Sequence, residues 1–98
     1  NIPISGTEIT ASTAIDNTNR GKVINVNSAS ALNITINISS LTNVGDIVYI
    51  DQIGVGEVTI VPGTNCFLQK NSGRQLVTDG QYSRVAIHKV LSDTYRVF

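Results

Sequence analysis

Residues 32–39, Leu32-Asn33-Ile34-Thr35-Ile36-Asn37-Ile38-Ser39, place an aliphatic side chain at every second position and a polar one between. That period of two predicts a β-strand with one buried and one wet face, because a helix would scatter the same aliphatics around all its sides. A stronger cluster follows at 46–61. Asp46-Ile47-Val48-Tyr49-Ile50-Asp51-Gln52-Ile53 and Glu57-Val58-Thr59-Ile60-Val61 are rich in β-branched and aromatic residues, with Gly54-Val55-Gly56 between them. The pattern predicts a β-hairpin in which the two glycines supply positive φ at the reversal. Its first arm is apolar on both faces from Ile47 to Ile50, as expected of a strand covered on two sides.

The rest of the chain repeats this theme. Lys22-Val23-Ile24-Asn25-Val26-Asn27 predicts a strand, linked by Ser28-Ala29-Ser30-Ala31 to the alternating one. Ser40-Leu41-Thr42-Asn43-Val44-Gly45 reads as a loop with a tight turn at Leu41. Cys66-Phe67-Leu68-Gln69-Lys70 is a short strand closed by Asn71-Ser72-Gly73, and Gln75-Leu76-Val77 is a further apolar piece. Residues 81–90 and 94–98 predict a last hairpin across Leu91-Ser92-Asp93. In residues 1–20, a lead-in segment, sparse apolar residues, Pro3 and the stretch Asp16-Asn17-Thr18-Asn19-Arg20-Gly21 predict two short edge-type strands and a turn. The spacing amounts to about eight to ten short strands with no substantial helix. The expected fold is all-β, a single antiparallel β-sandwich of jelly-roll type over residues 1–98.

Composition narrows the function. Ninety-eight residues suffice for one domain with a modest core. Seven Lys+Arg balance seven Asp+Glu, so nothing draws the chain to nucleic acid or an anionic membrane, and no apolar run is long enough to enter a bilayer. Charged residues are only 14% of the chain, a low fraction that implies solubility through Asn, Ser, Thr and Gly together with surface buried in an assembly. The chain starts at Asn1 without a methionine and stops at Phe98 inside a strand-like run, which predicts a piece of a longer protein.

Candidate chemistry is sparse. The single cysteine, Cys66, cannot form an internal disulfide and reads as a small buried apolar residue. His88 has no partner at metal-ligand spacing, and the carboxylates Glu8, Asp16, Asp46, Asp51, Glu57, Asp79 and Asp93 lie mostly in or beside turns. Gly54-x-Gly56 precedes a strand, whereas a phosphate-binding loop precedes a helix. The sequence therefore points to no catalytic residue, no metal and no cofactor. Four aromatic positions, Tyr49, Tyr82, Tyr95 and Phe98, are candidate subunit-interface or glycan contacts: a Tyr ring stacks while its hydroxyl bonds to water or sugar, and Phe98, like the apolar run 47–50 and Val97, reads as a residue of core or subunit contacts. Polar side chains in loops 16–20 and 71–74 are further glycan candidates.

Three stretches together carry a family resemblance. They are Arg20 to Ile36, Gly54-Val55-Gly56-Glu57-Val58-Thr59-Ile60, and Gly80-Gln81-Tyr82-Ser83 with Lys89 and Thr94-Tyr95 downstream. Over residues 18–98 this succession resembles a small β-domain of tailed-bacteriophage virion appendages, of tail-fibre, tail-spike or head-fibre type. That family often has Trp after the Thr of the last strand, where this chain keeps a large ring as Tyr95. The resemblance implies a non-enzymatic virion structural or adhesion module, assembled in the bacterial host cytoplasm as a homotrimer. Its implied partners are other virion proteins and a host-surface glycan. The alternatives are a carbohydrate-binding module of a polysaccharide-degrading enzyme and a capsid decoration domain.

Overall fold

The computed structural model describes residues 6–70 and 76–98. Within them run nine strands: β1 (Gly6–Ile9), β2 (Thr13–Ala14), β3 (Val23–Val26), β4 (Leu32–Ile36), β5 (Ile47–Gln52), β6 (Val58–Pro62), β7 (Phe67–Lys70), β8 (Arg84–Leu91) and β9 (Thr94–Val97). The sole helical element among them is a 3-10 turn at Asn17–Asn19, so the chain is all-β. No helix there is long and apolar enough to cross a membrane. The strands form a six-stranded sheet in the order β1-β3-β5-β8-β9-β7 and a three-stranded sheet in the order β2-β4-β6. Of the two short strands expected before residue 20, the one in residues 7–11 is met by β1, the one in residues 2–6 lies mainly outside the described residues, and β2 falls where none was expected; β1 and β2 each form one edge of a sheet.

From β1 to β6 successive strands alternate between the two sheets, so the chain winds through three coils and stacks each strand parallel on the one below. The same 26-residue step relates β3 to β5 (Val23 to Tyr49) and β4 to β6 (Leu32 to Val58). β7 also pairs parallel, with β9; among the described residues the antiparallel pairings are the β5–β8 and β8–β9 ladders and a single Thr59–Val77 bridge. The two sheets enclosing one core are present, and the expected antiparallel pairing is replaced by mainly parallel ladders. Period-two alternation reports a half-buried strand and is silent about the direction of its neighbour.

The expected hairpin at 46–61 is likewise replaced. Its two arms exist as β5 and β6, but they lie in different sheets, and residues 53–57 form the corner between them. Neither Gly54 nor Gly56 has a positive φ. They are needed for a different reason: the corner stacks on the preceding one, and a Cβ on Gly54 or Gly56 would overlap the backbone of Ser28 or Ser30. The Gly56 N–H donates to the Ser28 carbonyl at 2.8 Å and the Ile53 N–H to that of Val26 at 2.8 Å, while Leu32 N–H reaches the Glu57 carbonyl at 3.0 Å. Backbone approaches backbone where a side chain would hold it off.

The core lies between the sheets. Ile24, Val26, Val48, Ile50, Val85, Ile87, Tyr95 and Val97 face it from one side, and Ile34, Ile36, Val58 and Ile60 from the other. The alternation of β4 stops at Ile36, and Ile38 turns out into solvent because residues 38–40 form a turn. Ser40 closes that turn, its N–H donating to the Asn37 carbonyl at 3.0 Å and its hydroxyl accepting from Asn37 N–H at 2.8 Å. Leu41, which reads as loop in the sequence, is fully buried. Cys66 is buried, as its apolar setting predicts, and burial pushes its thiol pKa up.

Leu76, Val77 and Thr78 cover the open edge of β6. Ile60 N–H donates to the Leu76 carbonyl at 2.7 Å and Thr78 N–H to that of Val58 at 2.9 Å. The buried Thr78 hydroxyl donates to Gln52 Oε1 and accepts from Val58 N–H, so the inward-facing polar groups of this seam are paired. The hairpin of β8 and β9 is present as expected, with a register shift between Lys89 and Leu91. The expected features at Ile2-Pro3-Ile4, Asn71-Ser72-Gly73 and Gln75 lie outside the described residues.

Candidate functional site

The two outer faces differ. On the three-stranded sheet, Asn33 pairs with Thr59 and Thr35 with Val61 in positions opposite in parity to the core-facing Ile34 and Ile60. That face is small and polar, as a wet face should be. The outer face of the six-stranded sheet carries rings and aliphatics. Its register places Val23, Tyr49 and Ala86 in one row, with Phe98 joined to Ala86 by hydrogen bonds of 2.9 and 3.3 Å. A second row sets Ile47 beside His88, His88 beside Arg96, and Arg96 beside Gln69.

Local contacts pre-order these side chains. The rings of His88 and Phe98 stack with centroids 6.4 Å apart and 23° between planes. Phe98 nevertheless stays 55% exposed, a large apolar area on an open sheet face. Arg84 lies over Tyr49, its guanidinium carbon 5.2 Å from the ring centre, and grips Asp51 with two hydrogen bonds of 2.6 and 2.9 Å. That carboxylate raises the Arg84 pKa above its ordinary value. With Arg84 half in solvent, the pair is worth at most about 1 kcal/mol, its bidentate geometry placing it at the upper end.

A third, polar row crosses the same face nearer the ends of β5 and β3: Glu8, Asn25, Asp51 and Arg84 are successive register partners. Glu8 accepts from the Asn27 amide at 2.8 Å. Beyond this row lies the turn Gly80-Gln81-Tyr82-Ser83, where Tyr82 takes φ of 70°. A left-handed backbone at a bulky residue costs about 1–3 kcal/mol and persists only where neighbours enforce it. They do so here. Tyr82 N–H donates to the Gln52 carbonyl at 2.6 Å, Gln52 N–H to that of Ser83 at 3.0 Å, and the Gln81 amide to that of Ile53 at 2.9 Å. The Ser83 hydroxyl donates to the Gly80 carbonyl at 2.6 Å and accepts from Asp79 N–H at 3.1 Å.

Three of the four aromatic candidates are therefore on the surface: Tyr49 and Phe98 on the outer face and Tyr82 in the turn. Tyr95 is not. It is completely buried, its hydroxyl donating to the Asn37 carbonyl at 2.9 Å and accepting from Leu41 N–H at 3.2 Å, and it can touch neither a subunit nor a glycan. Its parity with Val97, two residues on, was the available signal. Lys89 Nζ lies 5.6 Å from the Tyr95 ring centre and donates to the carbonyls of Ile38 and Leu41 at 2.8 and 2.5 Å.

Arg84, Asp51, Asn25 and His88 join the surface only through register between strands far apart in sequence, and sequence reasoning passes over them. In loop 16–20 the amide oxygens are engaged internally, Asn17 accepting from Thr42 N–H and Asn19 from Asp16 N–H. Loop 71–74 lies outside the described residues. Among the described residues no three His, Cys, Asp or Glu side chains come together in a way that could hold a metal ion. No family model, curated protein or solved structure matches the chain.

Proposed function

We propose that the chain is a non-enzymatic domain of a bacteriophage virion appendage, of tail-fibre or tail-spike type, which associates as a homotrimer and supports attachment to the host surface. The observation that carries the reading is the outer face of the six-stranded sheet, where Ile47, Tyr49, Ala86, His88 and Phe98 form an apolar and aromatic surface on a domain whose other outer face is polar. A sheet face of this kind is ordinarily covered by another layer. The low charge of the chain and the resemblance of residues 18–98 to appendage domains support a second copy as that layer. The module is virion-borne on this reading, with other virion proteins and a host glycan as its partners.

Light scattering behind a sizing column tests it. The expected mass is three times the chain's 10.5 kDa across a range of concentrations. Tyr49→Asp, which sets a charge in the apolar row without entering the core, is expected to return the mass to that of one chain with an unchanged circular dichroism spectrum. A wild-type protein monomeric at every concentration sinks the trimer. The second reading, a carbohydrate-binding module attached to a polysaccharide-degrading enzyme, is favoured by the exposed Tyr82, and it requires no self-association.

A further inference from the structure

We propose that the Gly80-Gln81-Tyr82-Ser83 turn and the adjoining polar row Glu8, Asn25, Asp51 and Arg84 form a binding site for a neutral oligosaccharide. Tyr82 is its stacking platform. The proposal deepens the attachment reading by naming where and what the domain binds.

Each neighbour in the turn has a structural task. Gly80 takes φ of 133°, the Gln81 side chain caps the Ile53 carbonyl, and the Ser83 hydroxyl ties Asp79 to Gly80. The Tyr82 side chain has none: its ring is 76% exposed and makes no hydrogen bond or ring contact with the described residues. Glycine at this position would relieve the left-handed backbone, and asparagine would tolerate it. A strained backbone that holds a bare aromatic ring in water is a cost to the fold with no return inside it, which is the signature of a contact residue.

The adjoining chemistry specifies the ligand. Tyr82 N–H is bonded to the carbonyl of Gln52, the residue after Asp51, so the turn opens directly beyond the polar row. Four strands at about 4.8 Å spacing give the row a length of roughly 14 Å, suited to an extended chain rather than to one small ring. Carboxylate, amide and guanidinium groups supply paired acceptors and donors for neighbouring hydroxyls, and the aromatic ring takes the apolar face of a sugar. Two carboxylates against one guanidinium disfavour an anionic ligand. The Tyr49 row adjoins the polar row, with Arg84 over the Tyr49 ring, and the row of Ile47 and His88 lies one step further along the strands, so the polar row sits at the edge of the surface used for self-association.

Affinity electrophoresis through gels containing soluble neutral polysaccharides, together with an array of neutral and acidic oligosaccharides, tests the site. Wild-type protein is expected to bind at least one neutral glycan. Tyr82→Gly and Tyr82→Asn are each expected to lose about tenfold or more in affinity, at an unchanged or higher melting temperature. Arg84→Gln should weaken the same glycan. Absence of wild-type binding to any neutral glycan, binding confined to acidic glycans, undiminished binding by both Tyr82 variants, or a lower melting temperature in both would each overturn the proposal. A trimer that binds no neutral glycan removes this site and leaves the appendage reading standing. A monomer whose binding depends on Tyr82 does the reverse.

Discussion

Replacing Tyr95 by Phe keeps the buried ring and deletes one oxygen, which isolates the hydrogen bonds that fasten residues 37–41 to the core. The Leu41 N–H, fully buried, loses its acceptor at 3.2 Å, and the Asn37 carbonyl loses a donor at 2.9 Å. An orphaned buried donor costs about 1–3 kcal/mol, so a central value of ~2 kcal/mol is expected. For a domain of this size that lowers the melting temperature by roughly 8–10 °C. The pH dependence supplies a second readout. Burial raises the Tyr95 pKa, with the Leu41 N–H opposing it, so above about pH 10 the folded chain holds a proton that the unfolded chain has released. Stability from this group is complete below that pH and is lost as pH rises through the folded pKa, at up to about 1.4 kcal/mol per pH unit. Urea unfolding followed by circular dichroism between pH 7 and 11 measures both effects. A Cys66→Ala background is needed because the raised Cys66 thiol contributes in the same direction, beginning near pH 8.5. Tyr95→Phe should lower stability at pH 7 and flatten the alkaline limb. A loss under about 0.5 kcal/mol with the limb unchanged would refute the reasoning, since Leu41 would then have found another acceptor.

Three further outcomes are expected. Gly56→Ala should destabilise by about 1–3 kcal/mol in thermal melts, because its Cβ meets the Ser30 backbone; a neutral effect would refute the stacked corners. Lys89→Met should cost less than Tyr95→Phe in the same urea assay, although it strips two carbonyls of a donor, because the desolvation cost of a buried ammonium disappears with it. A larger loss would mean that the ammonium contributes more than its burial costs. Cys66 should react with a thiol reagent at least about a hundredfold more slowly in the folded chain than in urea, and rapid labelling of the folded chain would show that it is not enclosed.

The candidate site was partly legible. Tyr49 and Phe98 are marked by the apolar strand runs that hold them and Tyr82 by the turn motif around it, while Tyr95 falls into the same group because ring chemistry does not distinguish faces. The parity of Tyr95 with Val97 did distinguish them, and it depends on nothing outside β9. Arg84 and Asp51 were invisible as a pair, being 33 residues apart and joined only by the β5–β8 register.

The sequence by itself determined most of the strands and, in β4, which residues turn inward, because alternation is a local property written at every second position there, whereas β5 is apolar on both faces from Ile47 to Ile50 and left its inward side open. It also placed glycine at 54 and 56, where the expected reason, positive φ at a hairpin turn, does not hold. Only the tertiary structure decided why. Those glycines allow one corner to lie against the corner of the preceding coil, and that stacking sets β5 against β3 and β6 against β4 where a hairpin would have paired β5 with β6. Strand pairing is a choice among distant backbones with the same hydrogen-bonding groups, and it is settled by which arrangement closes one core between two sheets and brings every corner into contact.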